Sequence, residues 1–129
     1  MDYRISVLVI FILGNIFLSS CRETPLLKGF DSKIWKNDRN ACKDLRKKQI
    51  EYIQKDKDKL KGLGQNQILS LLGKPDAHEL YDRNQRFYVY FFTKGNQCEG
   101  KTDINRGNTL KLRFSAMDAV TEITINRQE

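Results

Sequence analysis

The sequence predicts an α+β domain in which two N-terminal helices pack on a three- to four-stranded antiparallel sheet, an ααβββ sandwich of two layers. Three observations predict it. Apolar residues recur at helical spacing in residues 41–54 and again at Ile68, Leu71 and Leu72; Gly73 and Pro75 close the second segment; and extended patterns then take over, in residues 86–92, 109–115 and 119–126.

The helices and strands are preceded by a segment of a different kind. One basic residue lies in Met1 to Arg4, and Ile5 to Phe17 is apolar except for Ser6, Gly14 and Asn15. Such a core is short for a membrane span and suits a signal peptide. It leads into Leu18-Ser19-Ser20-Cys21, which matches the lipobox of bacterial lipoproteins. The small residues admit a peptidase, and the Cys21 thiol accepts diacylglycerol. The competing reading is an ordinary cleaved signal, or an anchor, with Cys21 incidental. On the lipobox reading, residues 1–20 are removed, residues 21–31 form a lipidated flexible tether, and residues 32–129 form a single domain. More than one acyl chain would hold it durably at a membrane.

Removal of the first 20 of 129 residues leaves 109, enough for one modest core and too few for two domains. The net charge of +7 is unchanged, because that segment carries one Arg and one Asp. In an exported protein such a balance favours anionic lipid, cell-wall polymer or an acidic protein surface as the contact, with solubility alone as the alternative.

Residues 22–31 show little periodicity. From a cap at Asp38 or Asn40, a first helix is expected through Gln54, with Ala41, Cys42, Leu45, Ile50, Tyr52 and Ile53 on one half and Arg46, Lys47 and Lys48 beside or opposite it. The alternating run Lys55 to Lys59 reads as its solvated end. Gly62 and Gly64 break the chain. Ile68, Leu71 and Leu72 then mark a short second helix, stopped by Gly73 and Pro75.

A short leading strand is expected at His78 to Tyr81, turning at Asp82-Arg83-Asn84. Arg86 to Phe92 is aromatic or apolar on both faces, as suits a central strand. Thr109 to Ser115 puts Leu110, Leu112 and Phe114 on one face and Lys111 and Arg113 on the other. Ala119 to Asn126 follows a tight connection at Ala116-Met117-Asp118, with Thr121, Ile123 and Ile125 on one face, completing a hairpin.

With Cys21 used for lipid, Cys42 and Cys98 remain, far apart in sequence. A disulfide between them is expected in an oxidising compartment. A metal site or catalytic thiol is the alternative, but there is no Cys-x-x-Cys and His78 is the single histidine. Neither a Ser-His-Asp order nor a Gly-rich phosphate loop is present, so no enzyme, small-molecule substrate or cofactor is expected. Export argues against nucleic acid despite the aromatic strand.

The candidate binding surface is the outer sheet face, read as Lys111 and Arg113 with Tyr88 and Tyr90 beside them. Tyrosines among cations suit a protein- or glycan-binding face. Cross-strand packing is the competing role for both rings.

Residues 62–125 resemble the SmpA/OmlA family of outer-membrane lipoproteins, which includes the E subunit of the β-barrel assembly (Bam) machinery. The resemblance is carried by Gly62, Leu63, Gly64, Ile68, Leu72, Gly73 and Pro75, by Arg86-Phe87-Tyr88-Val89-Tyr90, and by the pair Leu110 to Phe114 and Val120 to Ile125. Gly64 stands where the family places a capping Ser or Thr, a small loss at that position. What the resemblance implies is a non-enzymatic interaction module, lipid-anchored at the outer membrane facing the periplasm, with envelope proteins such as the barrel-assembly machinery as partners. An inhibitor-like or cell-wall-binding lipoprotein is the alternative, since a helix-helix-sheet layout hosts several roles.

Overall fold

Asp31 starts the first helix: its carboxylate accepts the backbone N–H groups of Lys33 at 2.8 Å and Ile34 at 3.1 Å, satisfying donors that the helix leaves free. The computed structural model describes residues 23–81, 83, 85–101 and 107–128. The expected signal peptide and lipobox with Cys21, and Asp82 and Asn84 of the expected turn, lie outside the described residues. The helix that Asp31 caps, α1 (Ser32–Asn37), buries Trp35. It is not foreshadowed by any long apolar period, because at six residues it makes less than two turns.

The next helix begins later than its apolar pattern implies. Asp38 is buried, and its carboxylate accepts the N–H groups of Lys43, Leu45 and Arg46. The chain winds around that carboxylate through a turn at Arg39–Ala41, and α2 runs only over Arg46–Lys55. Cys42 therefore precedes the helix, and Leu45 is exposed. Gln49, Ile50 and Ile53 face the core, and so does Arg46, which the helical wheel places at the margin. The charge run is not simply a helix end: Lys57–Leu60 makes a separate turn that buries Leu60.

In α3 (Gln65–Leu72) the Gly64 cap has no side chain to offer, and Gln67 Oε1 accepts the Gly64 N–H at 3.0 Å instead. Gly73 ends the helix at φ 75°, ψ −172°. That region is effectively glycine's alone and differs in ψ from the expected left-handed turn.

Four strands follow: β1 (Ala77–Tyr81), β2 (Gln85–Phe91), β3 (Thr109–Phe114) and β4 (Val120–Asn126). They form one antiparallel sheet in the order β1-β2-β3-β4. The fold is thus mixed α+β, with three α-helices among the described residues where two were expected. Leu110 opposes Ile125 and Leu112 opposes Ile123. An irregularity between Arg113 and Phe114 brings Val120 opposite Phe114, so Val120 enters the core and Thr121 is exposed. The core lies between this face and Trp35, Ile50, Ile53, Leu60, Ile68, Leu71 and Leu72. It extends into the expected tether: Leu27 is 2% exposed, Phe30 packs on Trp35, and the Lys28 N–H donates to Asp56. The packed domain begins at Leu27, ahead of the expected boundary at 32. No helix among the described residues is long and apolar enough to cross a membrane.

One polar pair sits inside. Arg46 and Asp76 meet at 2.5 Å with side chains 1% and 0% exposed. Removing either partner strands the other in a low-dielectric interior, at a cost of about 3–5 kcal/mol. Arg46→Met and Asp76→Ala are each expected to lose that much in urea denaturation, and the double variant less than the sum. Additive losses would mean the two groups are not coupled.

Candidate functional site

Antiparallel partners share a sheet face, so the β2–β3 register decides where the tyrosines point. Tyr88 pairs with Leu112 and Tyr90 with Leu110, which puts both rings on the helix-covered face. Tyr88 is 6% exposed and Tyr90 0%, and the expected outer-face tyrosines are corrected to core residues. Alternation could not reveal this, because β2 is aromatic on both sides and its phase is set only by its partner. Each hydroxyl is satisfied: Tyr88 donates to Gln65 Oε1 at 3.0 Å and Tyr90 to the Gly73 carbonyl at 2.9 Å.

The outer face carries Phe87, Val89 and Phe91 beside Arg113, Lys111 and Thr109. Lys111 and Arg113 do lie there, as expected, and both are paired. Lys111 Nζ donates to both oxygens of Glu79, at 3.0 and 3.1 Å. The register makes this bridge a diagonal across β2 between Phe87 and Val89, and Val89 is fully buried. Arg113 meets Glu122 at 3.1 Å on the adjacent strand. Gly107 lies against the Phe91 ring at that end of the face.

Cations without an acidic partner converge elsewhere. A groove beside β1 is lined by Arg39, Leu69, Lys74, Pro75, Asp76, His78 and Tyr88. Arg39 comes from the turn after α1, Leu69 from α3, Lys74 and Pro75 from the link to β1, and His78 from β1 itself. His78 stands edge-on to the Tyr88 ring at 5.0 Å. Among the described residues neither Arg39 nor Lys74 meets a carboxylate. Asp76 is turned inward, held by Arg46 and by the N–H groups of Asn40 and Phe91. Sequence reasoning missed the groove because Arg39 lies 35 residues before Lys74 and no local period links them. No group of three or more His, Cys, Asp or Glu among the described residues could hold a metal ion.

The Cys42–Cys98 disulfide is present as expected, across a sequence separation of 56 residues. It ties the segment ahead of α2 to the turn Asn96–Glu99 after β2. Gln97 Nε2 adds hydrogen bonds to the carbonyls of Asn40 at 2.9 Å and Thr93 at 2.7 Å.

Compared with known protein families, characterised proteins and solved structures, the chain gives no significant match to any of them.

Replacing both Cys42 and Cys98 with Ser is expected to lower stability by about 2–4 kcal/mol, through the freedom returned to the unfolded chain. Equal urea midpoints with and without reductant would contradict this. Tyr90 gives a second expectation. Burial, followed by the neighbouring Tyr88 and Asp76, raises its phenol well above the ordinary 10.0, with Arg46 acting the other way. The folded protein holds this proton where the unfolded chain releases it. Its contribution is therefore intact below about pH 10 and is lost progressively as pH rises above that value. Urea titrations at rising alkaline pH should show a decline that is shallower in Tyr90→Phe.

Proposed function

We propose that the chain is a lipid-anchored envelope lipoprotein whose folded domain binds a protein partner, without chemistry of its own, in assembly or maintenance of the outer membrane. The observation that carries the reading is the Cys42–Cys98 disulfide, because such bonds persist in oxidising compartments and are rare in reducing ones. The Leu18-Ser19-Ser20-Cys21 run supports lipid attachment at Cys21. The SmpA/OmlA resemblance of residues 62–125 supports the outer membrane, facing the periplasm, and makes the barrel-assembly machinery the first partner to seek.

Within this reading the working surface moves from the outer sheet face to the β1 side. Paired surface ions such as Arg113–Glu122 have little left to offer a partner, whereas Arg39 and Lys74 carry uncompensated charge beside apolar lining.

Crosslinking in living cells, followed by mass spectrometry of what co-purifies, tests the reading against a Cys21→Ala control. Wild-type protein should fractionate with membranes and capture an envelope protein, and Cys21→Ala should lose the membrane fraction. Barrel-assembly components in the captured set would support the outer-membrane role; cell-wall fragments or a soluble enzyme would replace it with another. Unchanged membrane association of Cys21→Ala would overturn lipid anchoring.

A further inference from the structure

The two edges of the sheet are finished differently. At β4 the chain before α3 lies alongside: the Gly62 N–H donates to the Val120 carbonyl at 2.8 Å and the Val120 N–H to the Leu63 carbonyl at 2.9 Å, and Gly64 bridges Ala119. That end of β4 is covered and then twisted by the irregularity opposite Arg113 and Phe114. At β1 nothing comparable occurs. Its residues pair with β2, and among the described residues no other backbone pairs with the far side of Ala77–Tyr81.

An open edge is usually protected by a charge projecting over it. The one acid on β1, Glu79, is drawn across the outer face to Lys111, where its side chain is only 14% exposed. What β1 presents instead is apolar: Leu80 is 78% exposed and Tyr81 58%. On the helix side the edge opens into the groove of Arg39, Lys74 and His78, whose single carboxylate, Asp76, is consumed inside by Arg46.

Resting on the interaction-module reading above, we propose that β1 and this groove bind an extended acidic segment of the partner by strand addition. Main-chain groups of the added strand would complete the edge, as in other recognition by strand addition. Side chains of a strand alternate in direction. A carboxylate directed to the helix side would reach Arg39 and Lys74 beside His78, and an apolar residue two positions along would cover Leu80. Charge complementarity selects an acidic segment over a basic one, and the backbone edge selects an extended chain over a helix.

The full-length protein, purified in detergent, is titrated with the fluorescein-labelled peptide TVTETVT and, as a control, with TVTKTVT. The glutamate peptide should bind and slow amide hydrogen exchange across residues 77–81, and the lysine peptide should bind at least about ten-fold more weakly. Arg39→Glu with Lys74→Glu should abolish the preference. The milder Arg39→Gln with Lys74→Gln should weaken it with thermal unfolding unchanged, which separates loss of the site from loss of the fold. Arg113→Glu on the outer face should leave binding as it was. The proposal is overturned by equal affinity for both peptides, by no binding at millimolar peptide, or by protection confined to residues 109–114. It is also overturned if anionic lipid vesicles or single-stranded DNA bind through Arg39 and Lys74 while the glutamate peptide does not. Failure of the peptide together with capture of an envelope protein in cells would remove this site and keep the module. Peptide binding together with unchanged membrane association of Cys21→Ala would keep the site and remove the lipid anchor.

Discussion

The buried contact between Arg46 and Asp76 is the constraint on which the remaining structure depends. Arg46 reaches from α2 to the Asp76 carboxylate, to the Trp35 carbonyl at 2.9 Å in α1 and to the Phe91 carbonyl at 2.9 Å at the end of β2. The Asp76 carboxylate also accepts the N–H groups of Asn40 and Phe91. Two helices, the turn between them and the first two strands thus meet at one pair of side chains. Such a pair contributes little net stability relative to apolar packing, since desolvation offsets most of the attraction, but no neighbouring arrangement satisfies both ions. It also bears on register. The Asp76 N–H donates to the Val89 carbonyl while its carboxylate takes the Phe91 N–H, so a one-residue slip of β1 along β2 would break both and strand the guanidinium. The guanidinium stacks 4.7 Å from the Trp35 ring centre, which sets a cation–π attraction against the indole N–H that has no acceptor among the described residues.

This constraint also explains which parts of the fold were legible in the sequence. Strand β3 was, because it has one wet face and its alternation survives; Leu110, Leu112 and Phe114 fall inward as read, whereas β4 follows its pattern only at Ile123 and Ile125, the irregularity opposite Phe114 having put Val120 inward in place of Thr121. So was α3, which Gly64 and Gly73 bracket. Arg46 was misplaced because patterning sorts charged residues outward, and only a carboxylate 30 residues later reverses that sorting. The start of α2 failed for a related reason. Ala41, Cys42 and Leu45 continue the apolar period, but Asp38 outbids the helix for three of its N–H groups. The tyrosines failed because β2 is apolar on both faces, so no periodicity distinguishes its two phases.

Charge is distributed by the same logic. On the outer face of the sheet Lys111 lies diagonal to Glu79 and Arg113 opposite Glu122. A face neutralised pair by pair offers an approaching partner little unsatisfied potential. The net positive charge is expressed where no acid answers, and beside β1 two such cations share a groove with a histidine and two apolar walls, Leu69 and Tyr88. The proposed binding surface follows uncompensated charge, whereas composition points to tyrosines beside lysine and arginine that the register buries.

The groove inherits its geometry from the interior. Residues 38–45 contain three non-glycine residues with positive φ, Asn40 at 59°, Ala41 at 57° and Asp44 at 59°. Asn and Asp tolerate that region, whereas Ala does so only at a cost, and such conformations persist where the surroundings overdetermine them. Here the surroundings are the Asp38 carboxylate, the Asp76 carboxylate on the Asn40 N–H, and the Cys42–Cys98 bond. Arg39 sits between Asp38 and Asn40, so its backbone is pinned on both sides by buried carboxylates. Lys74 and His78 flank Asp76 at two residues on either side in sequence, and Asp76 is itself immobilised by Arg46. Arg39, Lys74 and His78 are thus each within two residues of a buried carboxylate that is itself satisfied. A site preorganised in this way loses little entropy on binding beyond that of the Lys74 and Arg39 side chains and the incoming segment. The buried pair, dispensable in a ledger of net stability, is what lets a small domain hold cations from two distant stretches of chain at one sheet edge.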